Sequence, residues 1–194
     1  MNGPASTSAL NLLLVADVHY VHHAEHECAI AARKATWGLE LVRRAIRRVE
    51  RQGGVDAVVL MGDLVDNGEA AGVEEDLAGL RDEVRSLGVP TIVVPGNHDG
   101  DPSRLLRLFG DQPGVHCLKG YQLITFVDPY GPNDEASRRT QDLEVLRRAA
   151  REQATSPIVV FQHNPVHPPI ESTYPYNLTN AGEVMRAYKA AGVS

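Results

Sequence analysis

Apolar positions along the chain follow two rhythms. Four short unbroken runs, Leu12 to Ala16, Ala57 to Met61, Thr91 to Val94 and Ile158 to Phe161, read as strands, the first and last of them as buried strands. Between the first three, apolar residues recur every three or four positions. Ala31 to Arg51 reads as a helix, with Leu39, Val42, Ile46 and Val49 on one stripe and Arg43, Arg44, Arg47 and Arg48 on a solvated face. Gly53-Gly54 ends it. Gly72 to Leu87 reads as a second helix, stopped by Gly88. Strand, helix, strand, helix, strand predicts βαβ units and a mostly parallel sheet. Ligands of such sheets gather beyond the carboxyl ends of the strands.

The second half is less regular. Val115 to Leu118 and Tyr121 to Val127 predict a hairpin turning near Lys119-Gly120. Residues 128 to 139 are rich in turn formers and read as a loop. Thr140 to Gln153 reads as a helix with Thr140 as its N-cap, and Asn180 to Ala191 as another, with Asn180 and Glu183 placed as a capping box. Between them, residues 164 to 179 form a proline-rich loop, long enough to suggest a role at the site, with Tyr174 and Tyr176 as its aromatic residues. Trp37 is expected to pack, and Gly192-Val193-Ser194 to open a further strand.

Length and charge narrow the classes. The chain has 194 residues, 43% hydrophobic and 23% charged, with a formal net charge of -6. One domain spanning residues 1–194 is expected. The acidic balance argues against a nucleic-acid partner held by phosphate neutralisation. It leaves room for a phosphate substrate, because bound divalent cations reverse the local field. Cys28 and Cys117 make no disulfide framework, no window is apolar enough for a membrane span, and the N-terminus lacks a basic, apolar leader, so a cytoplasmic location is expected.

Four predicted strands end in residues that bind metals. Asp17-Val18-His19 follows the first, Gly62-Asp63-Leu64-Val65-Asp66 the second, Gly96-Asn97-His98-Asp99 the third, and His163 the strand at Phe161. Imidazole and carboxylate suit zinc, iron and manganese, and one carboxylate has two oxygens with which to bridge two ions. Any one of these runs alone is more often a turn with satisfied side chains. Their order, each at a strand end, makes the ordinary reading improbable.

The set Asp17-x-His19, Gly62-Asp63-x-x-Asp66, Gly96-Asn97-His98-Asp99 and His163 resembles the calcineurin-like metallophosphoesterases, over nearly the whole chain. The resemblance implies an α/β fold, a β-sandwich of two mixed sheets flanked by helices (αββα). It implies two divalent metal ions, Mn, Fe or Zn. Asp17 and His19 would hold the first, Asp63 would bridge both, and Asn97 and His163 would hold the second. His98 would serve the leaving oxygen, and Asp99 would orient His98 by accepting its other ring proton. Asp66 would support the loop. The activity implied is hydrolysis of a small phosphate ester, with nucleotide-type phosphodiesters first in line.

The family pattern has a further Gly-His-x-His motif that this sequence lacks, and the chain is expected to stop short of the strand that leads to it. An alternative reading is therefore a non-catalytic interaction module with a degraded metal site. Tyr20, His22, His23 and His26 either line the pocket or form a solvated loop.

Overall fold

Hydrophobic periodicity places most of the observed elements. The computed structural model describes residues 8–22, 28, 30 and 32–193. Contacts divide the chain into two compact units, Asn11–Gln112 and one that starts at Pro113 and takes in residues 8–10.

In the first unit, β1 (Leu12–Val15), β2 (Ala57–Leu60) and β3 (Thr91–Val93) form a parallel sheet with β2 in the middle. Leu13 pairs with Val58, and Val59 with Ile92. Ala57, Val58, Val59 and Leu60 are all buried, which is why β2 reads as an unbroken apolar run. Helix α1 covers Gly38–Arg51, α2 Val73–Arg85 and α3 Pro102–Phe109. On α2 the buried Val73, Leu77, Leu80 and Val84 recur at helical spacing; each such side chain contributes about 1.5–3 kcal/mol by leaving water. Arg43 Nε donates to Glu83 Oε2 at 2.7 Å and ties α1 to α2.

Three expectations for this unit need correction. Helix α1 starts at Gly38, after a 3-10 turn over Ala35–Trp37. Gly38 lies so close to Val18 that a Cβ there would come within 2.8 Å of Val18 Cγ1, and the regular helix begins at that contact. Ala35 fills the inner side of the turn, so Trp37 faces outward and is 62% exposed instead of packed. Helix α3 has no counterpart among the expected elements. It is two turns long and buries only Leu105, Leu106 and Phe109. Its ends are nonetheless well marked, since Asp101 Oδ1 accepts from Ser103 N at 2.9 Å and Gly110 closes it with φ 73.

In the second unit, β4 (Gly114–Leu118) and β5 (Tyr121–Thr125) are antiparallel, and β5 runs parallel to β6 (Ile158–Phe161). Lys119 and Gly120 both have positive φ, 50 and 83, the two-residue turn that matches strand twist. Helices α4 (Thr140–Glu152) and α5 (Ala181–Ala191) pack Leu143, Leu146, Val184 and Ala187 with Ile124, Phe126 and Ile158 into one core. Val193 makes a parallel bridge to Ile158.

Both helix caps in this unit differ from expectation. Thr140 is the first residue of α4, and Arg139 holds the cap position, its side chain drawn to Asp142 at 2.8 Å. Asn180 does precede α5, but its amide is used on the loop: Oδ1 accepts from Arg138 N at 3.0 Å, and Nδ2 donates to Arg138 O at 2.9 Å and to Glu183 Oε2 at 3.2 Å. It makes no side-chain bond to the helix backbone. The two-sheet α/β class expected from the resemblance is the class observed, with both strand directions present in the second sheet. Among the described residues, no helix is long and apolar enough to cross a membrane.

Candidate metal centre

The segments leaving β1 and β2 run side by side. Asp17 N donates to Gly62 O at 3.1 Å, His19 N to Asp63 O at 2.9 Å and Tyr20 N to Leu64 O at 2.9 Å. Within this ladder three non-glycine residues take left-handed backbone angles: Asp17 (φ 52), His19 (φ 44) and Asp63 (φ 51). Such angles cost about 1–3 kcal/mol each and cluster at functional sites. Asp and His tolerate them better than most residues.

The result gathers side chains. His19 and Asp63 are buried, with His19 Nε2 3.6 Å from Asp63 Oδ2. The His98 ring meets the His19 ring edge-on, centroids 4.7 Å apart. His19, Asp63 and His98 each offer one ligand atom, all within 4.8 Å of one another. His19 and Asp63 supply an imidazole and a carboxylate, donor types that suit a divalent first-row metal, with the His98 ring beside them. Burial, helped by the charges of Arg33 and His98 and opposed by Asp63 and Asp66, lowers the pKa of His19. Its neutral, ligating form is thereby favoured.

The third strand end locks onto the second. His98 N donates to Asp63 Oδ1 at 3.0 Å. A Cβ on Gly96 would lie 2.2 Å from the same oxygen and 2.4 Å from Asp63 N, so only glycine fits there. Asp99 is fully buried. Its Oδ1 accepts from Leu64 N at 2.7 Å and Val65 N at 3.3 Å, and its Oδ2 from Gly96 N at 2.8 Å. The expectation that Asp99 orients the His98 ring is therefore corrected. Asp99 is occupied with backbone amides, and His98 Nδ1 instead bonds the main-chain carbonyl of Asp66 at 2.7 Å. Burial pushes the Asp99 carboxyl up to about 6 despite those amide donors.

Asp66 supports the loop, as expected, and does so at two atoms. Its carbonyl holds His98, and its buried carboxylate lies 3.5 Å from His19 Nδ1 and pairs with Arg33. Arg33 Nη1 also reaches His19 Nδ1 at 3.1 Å. Nothing in the spacing of the sequence points to Arg33. The second aspartate of Gly62-Asp63-x-x-Asp66 was a readable signal for Asp66.

Asp17 is exposed at the mouth of the first segment, and Asn97 is half-buried in the 3-10 turn Asn97–Asp99. His163 belongs to the second unit, two residues beyond the end of β6, and is half-buried. Tyr20 is buried and its hydroxyl meets His22 Nδ1 at 3.0 Å. It lines a small pocket with Val65, Asp66, Asn67 and Asp76. His23 and His26 lie outside the described residues. Tyr174 and Tyr176 contact each other at 4.6 Å and are partly exposed on their loop.

Comparison with known proteins places the chain among its relatives. Over 121 residues the chain is 33% identical to a probable cyclic nucleotide phosphodiesterase, syc0937_d, of Synechococcus sp. (strain ATCC 27144 / PCC 6301 / SAUG 1402/1). The match covers 60% of this chain and 45% of that protein, so it spans less than half the relative's length. Among solved structures, that of TT1561 of Thermus thermophilus superposes with a TM-score of 0.60 at 15% identity, covering 96% of this chain and 79% of the other, a likeness of fold. The family profile described as calcineurin-like phosphoesterase matches residues 10–193, nearly the whole chain, and the chain therefore belongs to the calcineurin-like phosphoesterases.

Proposed function

We propose that this chain hydrolyses phosphate esters with a dinuclear metal centre. The observation that carries the reading is the convergence of His19, Asp63 and His98 on one point, over backbone strained at Asp17, His19 and Asp63. On the family pattern Asp17, His19 and Asp63 would hold the first ion, and Asp63, Asn97 and His163 would hold the second. When bound, two such ions lower the pKa of a water from ~15.7 towards ~7 and offset charge developing on the phosphoryl oxygens. His98 acts on the leaving oxygen, its ring held from behind by the Asp66 carbonyl. Asp99 shapes the turn that presents His98.

A small phosphodiester, with cyclic nucleotides first, is the substrate class this reading favours. The name of the Synechococcus relative supports it. The test starts from chelator-stripped protein. Mn²⁺, Fe²⁺ or Zn²⁺ is restored, bound metal is counted, and hydrolysis of bis(4-nitrophenyl) phosphate and of a cyclic nucleotide is followed. Metal-dependent turnover with two ions per chain is expected. Failure to take up metal would instead favour an interaction module on the same fold.

A further inference from the structure

In the second unit, β6 leads into His163 between two residues whose side chains are already committed. Gln162 Nε2 donates to the main-chain carbonyl of Asn164 at 2.6 Å, a side-chain bond that closes the backbone around His163. Asn164 is buried, and its Oδ1 accepts from Tyr130 OH at 2.8 Å.

The direction of the Gln162 amide is dictated from the other side. Arg138 Nη2 donates to Gln162 Oε1 at 3.2 Å, and the Tyr188 hydroxyl donates to the same oxygen. A guanidinium has no acceptor, so the amide oxygen must face it, and Nε2 is left pointing at Asn164. Arg138 is itself immobilised. It is 2% exposed, its Nη2 meets Asp128 Oδ2 at 2.9 Å while Nε bonds the other Asp128 oxygen, and its Nη1 donates to Tyr188 OH at 2.9 Å. Its guanidinium lies 3.9 Å from the centre of the Phe126 ring. Apolar residues of similar volume often fill such a space with equal or greater stability than a buried ion pair. The network is thus better matched to setting geometry than to adding stability.

We propose that Gln162, oriented by Arg138 and Tyr188, is a positioning residue that presets the His163 backbone for metal binding. The proposal rests on the assignment of His163 as a metal ligand. Partners of this kind, one step removed from the metal, typically change affinity 10–100-fold when mutated.

The test uses the metal-stripped full chain, titrated with Co²⁺ by calorimetry and by visible absorption. Gln162→Glu keeps an acceptor for Arg138 and Tyr188 but has no donor for Asn164 O. Gln162→Met, of similar size, serves if the acidic variant fails to fold. Either variant is expected to bind Co²⁺ about 10–100-fold more weakly at one site and to alter the cobalt absorption bands, with the thermal transition intact. In a His163→Ala background the same change should alter affinity less than about twofold, since the ligand it positions is gone. An equal loss in both backgrounds, or no loss in either, overturns the proposal. Wild-type affinity and spectrum in His163→Ala alone would overturn the ligand assignment itself, a different result from the failure of Gln162 to matter.

Discussion

His98 Nδ1 lies 2.7 Å from the main-chain oxygen of Asp66. A carbonyl only accepts, so the proton sits on Nδ1 and the Nε2 lone pair faces away from the loop. That tautomer can take up a proton at Nε2 and pass it on, as service to a leaving group requires. His98→Ala should lower kcat by about 10²–10⁴-fold while the protein still binds its metals. Turnover near the wild-type rate, with metal content measured alongside, would remove His98 from the chemistry.

Gly96 has no room for a side chain against Asp63. Gly96→Ala must push the Asp63 loop aside, at a cost of about 1–3 kcal/mol typical of overpacking. Urea unfolding should show that loss, and metal affinity should fall with it because Asp63 moves. An unchanged midpoint and unchanged affinity would mean that the two loops are not in the contact described.

Asp99 accepts three backbone amides in a fully buried position. Asp99→Ala leaves those donors without partners, and a loss of at least about 3 kcal/mol is expected, since each orphaned group costs ~1–3 kcal/mol. Its carboxyl titrates at about 6 in the fold against an ordinary value of 3.8. The folded state therefore holds the proton more tightly. The contribution of this group to stability is complete below about pH 4 and is lost as pH rises through about 6. In metal-free protein, unfolding free energies measured across that window should show this decline, and Asp99→Asn should abolish it.

Arg138 and Asp128 form a buried pair in the second unit. Arg138→Ala strands the Asp128 carboxylate and removes the donors to Gln162 and Tyr188, so a loss of about 3–5 kcal/mol is expected by chemical denaturation. A loss under about 1 kcal/mol would show that water reaches and solvates Asp128.

Much of the fold was legible because its signals are local. The four apolar runs became β1, β2, β3 and β6, and the stripe of Leu39, Val42, Ile46 and Val49 became the inner face of α1. The hairpin at Lys119-Gly120 was readable because its turn needs left-handed angles that glycine supplies. Helix α3 escaped because two turns carry too few apolar positions to establish a period. Asn180 reads as a capping residue by its type and place. Its amide serves Arg138, 42 residues away, a partner no local window contains.

The sequence by itself determined which chemistry stands at which strand end. Carboxylate, imidazole and glycine occupy the positions where the chain must turn, and a hydrophobic run can specify a strand and its end without reference to the rest of the molecule. Only the tertiary structure decided how those groups are held. Asp99 spends its oxygens on the amides of Leu64, Val65 and Gly96, Asp66 carries the His98 ring on its carbonyl, and Arg33 comes to His19. The physical reason is that a buried polar atom must find a partner wherever the fold places one, and hydrogen-bond partners distant in sequence leave no period to read.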